Sequence, residues 1–294
     1  MKIRPLESVT VLFAWSAGLI LLSAVSLLLG YLFFKGYQSV NLALIFGETS
    51  PLQAILLNER VFDGLFPAMA GTLVLVVLSI IWAIPVGMAT GIYLAEYAGS
   101  RTKKVLDAFL DVLSGMPSIV IGLFGFSLAI FLHKQYSDRI GPCLLISSIA
   151  LSLLVLPYII RTTQGALESI PLDIRLTALA LGASKLQNIF LVLIPKSFAG
   201  IMSGIILAIG RCAEDTAVIM LTGAVASAGL PKSLFSQYEA LPFYIYYISS
   251  QYSTQDELMQ GYGAAIILLL LCGILFSVAF VIRKGLAYFA YYKP

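Results

Sequence analysis

Long stretches without any charged residue are the dominant feature of this 294-residue sequence. The uncharged runs cover residues 9–34, 69–95, 112–132, 140–160 and 258–282. About 20 helical residues cross a hydrocarbon core of about 30 Å, so each run is long enough to span a bilayer. A further apolar stretch, 197–238, is interrupted mainly by Arg211, Glu214, Asp215 and Lys232.

Hydrophobic residues make up 60% of the chain and charged residues only 11%, which excludes an ordinary soluble domain. We therefore predict one all-α membrane domain over residues 1–294, with six transmembrane helices. The predicted spans are roughly 9–34, 68–97, 105–132, 143–161, 200–226 and 262–283. The first is about twice as long as the apolar part of a signal peptide, so we expect it to be retained.

The charges in the loops predict the orientation. Of the 18 lysines and arginines, twelve lie in the termini and the loops on their side of the membrane, and five lie opposite. Because positive charge accumulates in cytoplasmic loops, both termini are predicted to be cytoplasmic, with loops 36–66 and 227–261 outside. The tyrosine-rich loop 227–261 is either an interfacial aromatic belt or a docking surface. The net charge of +3 follows from topology, and we expect no nucleic-acid partner.

Few residues are of the kinds that perform catalysis or bind metals. Cys143, Cys212 and Cys272 lie apart in apolar segments, and His133 is the single histidine, so we expect neither a redox pair nor a metal site. The phosphate-binding pattern GxxxxGK[ST] is absent, so this chain is not expected to bind ATP itself. These observations give little support to a membrane-embedded enzyme.

The cytoplasmic loop 162–199 has the signals of a helix-turn-helix. Pro171 suits the first turn of a helix, and Gly182 is placed to stop that helix. Ser184, followed three residues later by Gln187, forms a capping-box pattern for a second helix, which we expect Pro195 to close.

An apolar face is predicted for this helix-turn-helix, comprising Leu176, Leu179, Leu181, Leu186 and Phe190. Exposed apolar patches outside the bilayer usually bind another protein. The alternative is an amphipathic segment that rests on lipid headgroups.

The segment from Leu176 through "GASKLQNIFLVLIP" resembles the coupling loop of ABC importer permeases, with Gly182 and Pro195 at matching positions. The glutamate of the family's Glu-Ala-Ala pattern is missing, because this chain has Leu176-Thr177-Ala178 there. The resemblance implies contact with the ATPase through Leu176, Thr177, Ala178, Leu179, Gly182, Ala183 and Pro195.

Three further stretches resemble the PstA-type permease subunit of phosphate importers: "GMPSIVIGLFGF" (115–126), "PYIIRTTQGAL" (157–167) and "GRCAEDTAVIMLTG" (210–223). The resemblance implies a type I importer permease of MetI-like fold in a bacterial or archaeal inner membrane. It also implies three partners, similar to the permease PstC, the dimeric ATPase PstB, which would bind ATP and Mg, and the external phosphate-binding protein PstS.

The triplet Arg211, Glu214 and Asp215 is costly in a membrane, since each charge costs about 2.5–3.5 kcal/mol near a helix centre. Spacings of three and four residues place the triplet on one helix face. It is either an internal salt bridge or part of an oxyanion path, whose further candidates are Thr216, Arg161 and Ser118. For Arg161, contact with headgroups is an equal alternative.

In this segment the chain departs from the family pattern. Glu214 replaces a glycine, Asp215 replaces the glutamate, and Val218 replaces a proline. We expect Asp215 to hold Arg211 between transport events, and Glu214 either to be protonated or to point toward another helix. Without the proline, we expect no kink here.

The predicted third span, 105–132, would form a helix of about 42 Å, longer than the bilayer core. Pro117, Gly122 and Gly125 are candidate positions for a break that lines a substrate path. Close packing of the glycines against a neighbouring helix is the alternative.

The favoured function is therefore one half of the path through an ATP-driven phosphate importer. Molybdate, tungstate and sulfate are alternative substrates, since permeases for these anions share the coupling loop that this chain resembles. An ion-coupled secondary transporter acting alone is the alternative from a different class, although no inverted repeat is apparent.

Overall fold

The computed structural model describes residues 5–47, 64–136 and 141–292 and is almost entirely helical. Numbered in order along these residues, the helices are α1 Pro5–Gly36, α2 Leu42–Phe46, α3 Phe66–Glu96, α4 Ser100–Gly115, α5 Ser118–Gln135, α6 Leu144–Glu168, α7 Leu172–Ala180, α8 Lys185–Asn188, a π-helical turn Ile189–Leu193, α9 Ile194–Glu214, α10 Ala217–Thr222, α11 Leu241–Gln251 and α12 Gln255–Tyr292. Much of the predicted outer loop 36–66 lies outside the described residues.

Six helical segments in the described ranges are long and apolar enough to cross a membrane: α1, α3, α5, α6, the continuous stretch Lys185–Glu214, and α12. The predicted all-α fold with six spans is confirmed. The boundaries differ most for the third and fifth spans.

Helix α6 is the centre of the bundle. Of its most apolar 18-residue window 67% is buried, whereas none of the corresponding window of α1 is. Glycines let two neighbouring helices approach α6 closely. A Cβ atom placed on Gly91 of α3 would lie 2.7 Å from Cβ of Thr163, and one on Gly204 of α9 would lie 1.8 Å from Oγ1 of Thr162. The α3–α6–α9 core therefore depends on small residues at these contacts.

The third span differs from the prediction. Instead of one helix over 105–132, the chain forms α4, breaks at Met116 and Pro117, and restarts as α5. Met116 is extended, with ψ of 133°, as expected of a residue before proline, whose ring disfavours the helical conformation at the preceding position. Of these two helices, only α5 is long and apolar enough to cross the membrane.

Gly122 and Gly125 do not bend α5, which is continuous through both. They pack against α10 instead, since a Cβ on Gly122 would lie 3.0 Å from the carbonyl oxygen of Ala217 and one on Gly125 2.6 Å from Cγ2 of Thr222. Of the two interpretations, close packing describes these glycines.

The fifth span also differs from the predicted 200–226. Helix α9 ends at Glu214, Asp215 is extended with ψ of 123°, and the chain restarts as the short helix α10. The expectation that Val218 removes the kink is wrong. The carboxylate of Asp215 accepts a hydrogen bond of 2.8 Å from the backbone N–H of Val218, so the side chain caps the new helix without a proline.

The cytoplasmic helix-turn-helix is formed by α7 and α8. Gly182, with φ of +87°, ends the first helix in a left-handed conformation that suits glycine. The predicted capping box of Ser184 and Gln187 is present. Pro195, however, does not close the second helix: it lies in the first turn of α9, where a missing N–H is tolerated. The preceding π-helical turn joins α8 to α9 without interruption.

Candidate anion site and coupling surface

An open cavity of about 620 Å³ lies between α6, α9 and α12. Its walls are formed by Tyr158, Ser203, Ile206, Leu207, Gly210, Arg211, Glu214 and Phe276. Most of these residues come from α9, at spacings of three and four that place them on one helix face. The cavity is largely apolar, and Arg211 and Glu214 are the two charged residues in its wall.

Arg211 is paired with both neighbouring acids. Its Nη1 atom lies 2.8 Å from Oε1 of Glu214, and its Nη2 atom lies 3.5 Å from Oδ2 of Asp215. The arginine side chain is 31% exposed, against 62% for Glu214 and 2% for Asp215. Glu214 therefore forms the shorter of the two ion pairs of Arg211.

Asp215 contacts Arg211, but its shorter interaction is the hydrogen bond from Val218. It thus links the end of α9 to the start of α10. Thr216, the next residue, is half-buried, and its carbonyl oxygen accepts a hydrogen bond from Met220 in α10. Ser118 is the half-buried first residue of α5. Neither Thr216 nor Ser118 is among the residues that line the cavity.

Arg161 lies apart from this cavity and forms ion pairs with α4. Its guanidinium lies 2.5 Å from Oδ1 of Asp107 and 2.6 Å from Oδ1 of Asp111, and it also donates to the carbonyl oxygen of Asp107. In this conformation the arginine joins α4 to α6. The sequence analysis did not predict this pairing. The feature that could have indicated it is a pair of acids four residues apart on an amphipathic helix.

The predicted apolar face of the helix-turn-helix is exposed. The exposed fraction of these residues ranges from 39% at Leu179 to 85% at Leu181. The whole face comprises Leu176, Leu179, Leu181, Leu186 and Phe190, and Leu172 and Leu191 are exposed beside it. Thr177 and Ala178 are on α7, Ala183 follows Gly182 in the turn, and Pro195 lies beyond the π turn.

A largely buried ion pair anchors this helix-turn-helix to α3. Nη2 of Arg175 on α7 lies 2.6 Å from Oε1 of Glu96, the last residue of α3, and also donates to the carbonyl oxygen of Leu167. Asn188 of α8 donates to the carbonyl oxygen of Arg175, and Lys185 contacts the end of α3 through the backbone of Glu96. The loop therefore has a polar anchor although the family's glutamate is missing.

Within the described ranges, no group of three or more His, Cys, Asp or Glu residues is arranged to hold a metal ion. The three cysteines are free thiols.

Comparison with protein families gives a match to the model described as binding-protein-dependent transport system inner membrane component, over residues 87–286. The matched segment contains the helix-turn-helix and the cavity-lining residues of α6, α9 and α12.

Among curated proteins, the chain is similar to the phosphate transport system permease protein PstA of Haemophilus influenzae. The two are 31% identical over 252 residues, which cover 85% of this chain and 84% of the relative. The PstA protein of Mycobacterium leprae is 33% identical over 280 residues, covering 93% and 88%. The probable ABC transporter permease protein YqgI of Bacillus subtilis is 28% identical over 256 residues, covering 82% and 83%.

Solved structures of transporters have the same fold. A chain of a bacterial alginate ABC transporter, solved with an alginate-bound periplasmic protein, superposes with a TM-score of 0.65 at 14% identity, covering 97% of this chain and 99% of that one. A chain of the MetNI methionine ABC transporter gives 0.55 at 17% identity, covering 81% and 99%. At these identities the likeness describes the fold alone, which is the expected MetI-like fold.

Proposed function

Because this chain belongs to the family of binding-protein-dependent transport system inner membrane components, we propose that it forms half of the translocation path for inorganic phosphate in an ATP-driven importer. The relatives named PstA, which match most of the chain, support phosphate as the substrate. Membership of this family leaves no support for an ion-coupled secondary transporter acting alone.

The observation that carries the proposal is the position of Arg211. It is the cation in the wall of an open cavity inside a membrane bundle, and its guanidinium is partly exposed to that cavity. A guanidinium can donate two parallel hydrogen bonds to a tetrahedral oxyanion. Intramembrane charges that face a cavity commonly mark the path of a transported ion.

The proposed assembly has three further components. A second permease subunit similar to PstC completes the path, and an external phosphate-binding protein similar to PstS delivers the anion. A dimeric ATPase similar to PstB binds ATP and Mg and docks on the exposed apolar face of α7 and α8. This chain itself is a non-catalytic subunit in the inner membrane of a bacterium or archaeon, with both termini cytoplasmic.

The test is phosphate uptake by the assembled complex in proteoliposomes. We expect Arg211→Ala to reduce uptake by about 10- to 100-fold, because hydrogen bonds to charged groups contribute about 1.5–3 kcal/mol. Lys103→Ala is the control, since Lys103 pairs with Glu168 outside the cavity, and it should leave uptake unchanged.

Two results would count against the proposal. Normal uptake by an assembled Arg211→Ala complex would leave this arginine a structural role only. Uptake of molybdate, tungstate or sulfate in place of phosphate by the wild-type complex would assign the chain to another oxyanion.

A further inference from the structure

We propose that Glu214 selects for oxyanions that carry a hydroxyl group. In this arrangement the carboxylate of Glu214 accepts a hydrogen bond from that hydroxyl, while Arg211 donates to the unprotonated oxygens of the same anion. The inference rests on the proposed function and adds a residue that determines specificity.

The geometry places an acceptor and a donor side by side in one cavity. Oε1 of Glu214 lies 2.8 Å from Nη1 of Arg211, and both side chains line the cavity wall. An ionised carboxylate has about four acceptor positions, so one hydrogen bond to Arg211 leaves capacity for a ligand. Glu214 is also the more exposed of the two partners.

Asp215 does not share this role. Its side chain is buried, it does not line the cavity, and it is occupied by the N–H of Val218 and by Arg211. An anion that enters the cavity therefore meets one cation and one exposed carboxylate. The hydroxyl group of Tyr158 in the same wall can donate or accept, and that of Ser203 already donates to the carbonyl oxygen of Ala199, so neither presents a second charge to an anion.

The protonation state of each anion near neutral pH then determines how well the site binds it. Near neutral pH inorganic phosphate retains at least one P–O–H group, whereas sulfate, molybdate and tungstate retain none. A protonated anion can bridge Glu214 and Arg211 through hydrogen bonds of opposite direction. A fully deprotonated anion would place its oxygens against the carboxylate with no hydrogen between them, which is unfavourable like-charge contact.

Sites that bind a substrate hydroxyl can reject analogues lacking it by about 10⁴-fold or more. Since Glu214 is well exposed in this chain, solvent reduces the penalty. We expect sulfate to bind about 100-fold more weakly than phosphate.

The experiment measures binding of radiolabelled phosphate to the complex of both permease subunits and the ATPase, without the external binding protein. Unlabelled arsenate, sulfate and monofluorophosphate serve as competitors. Arsenate retains a hydroxyl, whereas monofluorophosphate carries fluorine in its place. For the wild type, arsenate should compete about as well as phosphate, and the other two about 100-fold less well.

Substitutions at Glu214 identify the residue responsible. Glu214→Gln introduces an amide that can donate to a deprotonated oxygen, so sulfate should then compete within about tenfold of phosphate. Glu214→Asp retains the carboxylate and should retain the wild-type order of competitors. Glu257→Gln is the matched control, because the carboxylate of Glu257 accepts a hydrogen bond from the backbone N–H of Ser253, just before α12, and does not line the cavity.

Equal competition by sulfate and phosphate in the wild type would overturn the inference, as would an unchanged preference in Glu214→Gln. If uptake still required Arg211 in those cases, the proposed function would stand and only the role of Glu214 would fall. A wild-type complex that neither binds nor imports phosphate would overturn both.

Discussion

Single residues in this protein are constrained most strongly where helices touch. Gly204 shows this, because its backbone lies against Thr162 with no room for a side chain. Gly165, on the same central helix as Thr162, has nothing within 4 Å of a hypothetical Cβ. Two glycines in one bundle therefore have different tolerance to the same substitution.

We predict that Gly204→Ala destabilises the bundle by about 1–3 kcal/mol, because the added methyl group forces α6 and α9 apart. Gly165→Ala should be neutral or slightly stabilising, since alanine favours a helix by up to about 1 kcal/mol over glycine. Thermal unfolding of the purified protein in detergent compares the two. Equal melting temperatures would mean that the close contact at Gly204 carries no stability.

Glu239 is the residue at which stability should depend on pH. It is a largely buried glutamate outside the candidate spans. Burial raises its pKa above the usual value, while hydrogen bonds from the backbone of Gly229 and Ala228 partly oppose the rise. A raised pKa means that the folded state binds the proton more tightly than the unfolded state does.

The contribution of Glu239 is therefore most favourable at low pH and is lost as pH rises from about 4.3, the ordinary glutamate value, through the raised pKa. Glu239→Gln, which stays neutral, should remove this part of the pH dependence. Melting temperatures of both proteins between about pH 4 and 8 measure it. Parallel curves for the two proteins would contradict the prediction.

At the scale of secondary structure, the important features are the breaks and connections between helices. Pro117 separates α4 from α5, Asp215 separates α9 from α10, and the π turn connects α8 to α9. The ion pair of Arg175 with Glu96 attaches α7 to α3. It is one of the contacts, besides the continuous π turn, through which movement of the helix-turn-helix can reach the membrane bundle.

We predict that Arg175→Ala lowers the amount of phosphate imported per ATP hydrolysed, because removing one partner of a buried ion pair costs about 3–5 kcal/mol and loosens this contact. Exchanging the charges, Arg175→Glu with Glu96→Arg, should restore part of the loss. Transport and hydrolysis are measured together in proteoliposomes. The control is Lys103→Ala, which removes the more exposed pair with Glu168. Unchanged coupling in Arg175→Ala would show that the anchor is dispensable.

The molecule as a whole is one part of a larger assembly. None of the most apolar window of α1 is buried against the rest of the chain, and the leucines of α7 and α8 are exposed. Lipid and other subunits therefore have to cover surfaces that this chain leaves open. The family match agrees with such a role.

The sequence alone was sufficient for the number of spans, the helix-turn-helix with its apolar face, and the permease family. The spans and the helix-turn-helix depend on local composition and turn chemistry, which neighbouring residues determine, whereas the family was indicated by the resemblance of its motifs. Breaks in helices were harder to predict from the sequence. The same glycines that permit a bend also permit close packing, and an aspartate can cap a helix where no proline is present.

Only the tertiary structure decided which charges meet across different helices. Arg161 is paired with Asp107, 54 residues away, and Arg175 with Glu96, 79 residues away. No periodicity along the chain encodes such pairs, because they depend on which helices the packing of α6 brings together. The same holds for Arg211: the sequence placed it in a membrane span, but its position in a cavity wall required the packing of α6, α9 and α12.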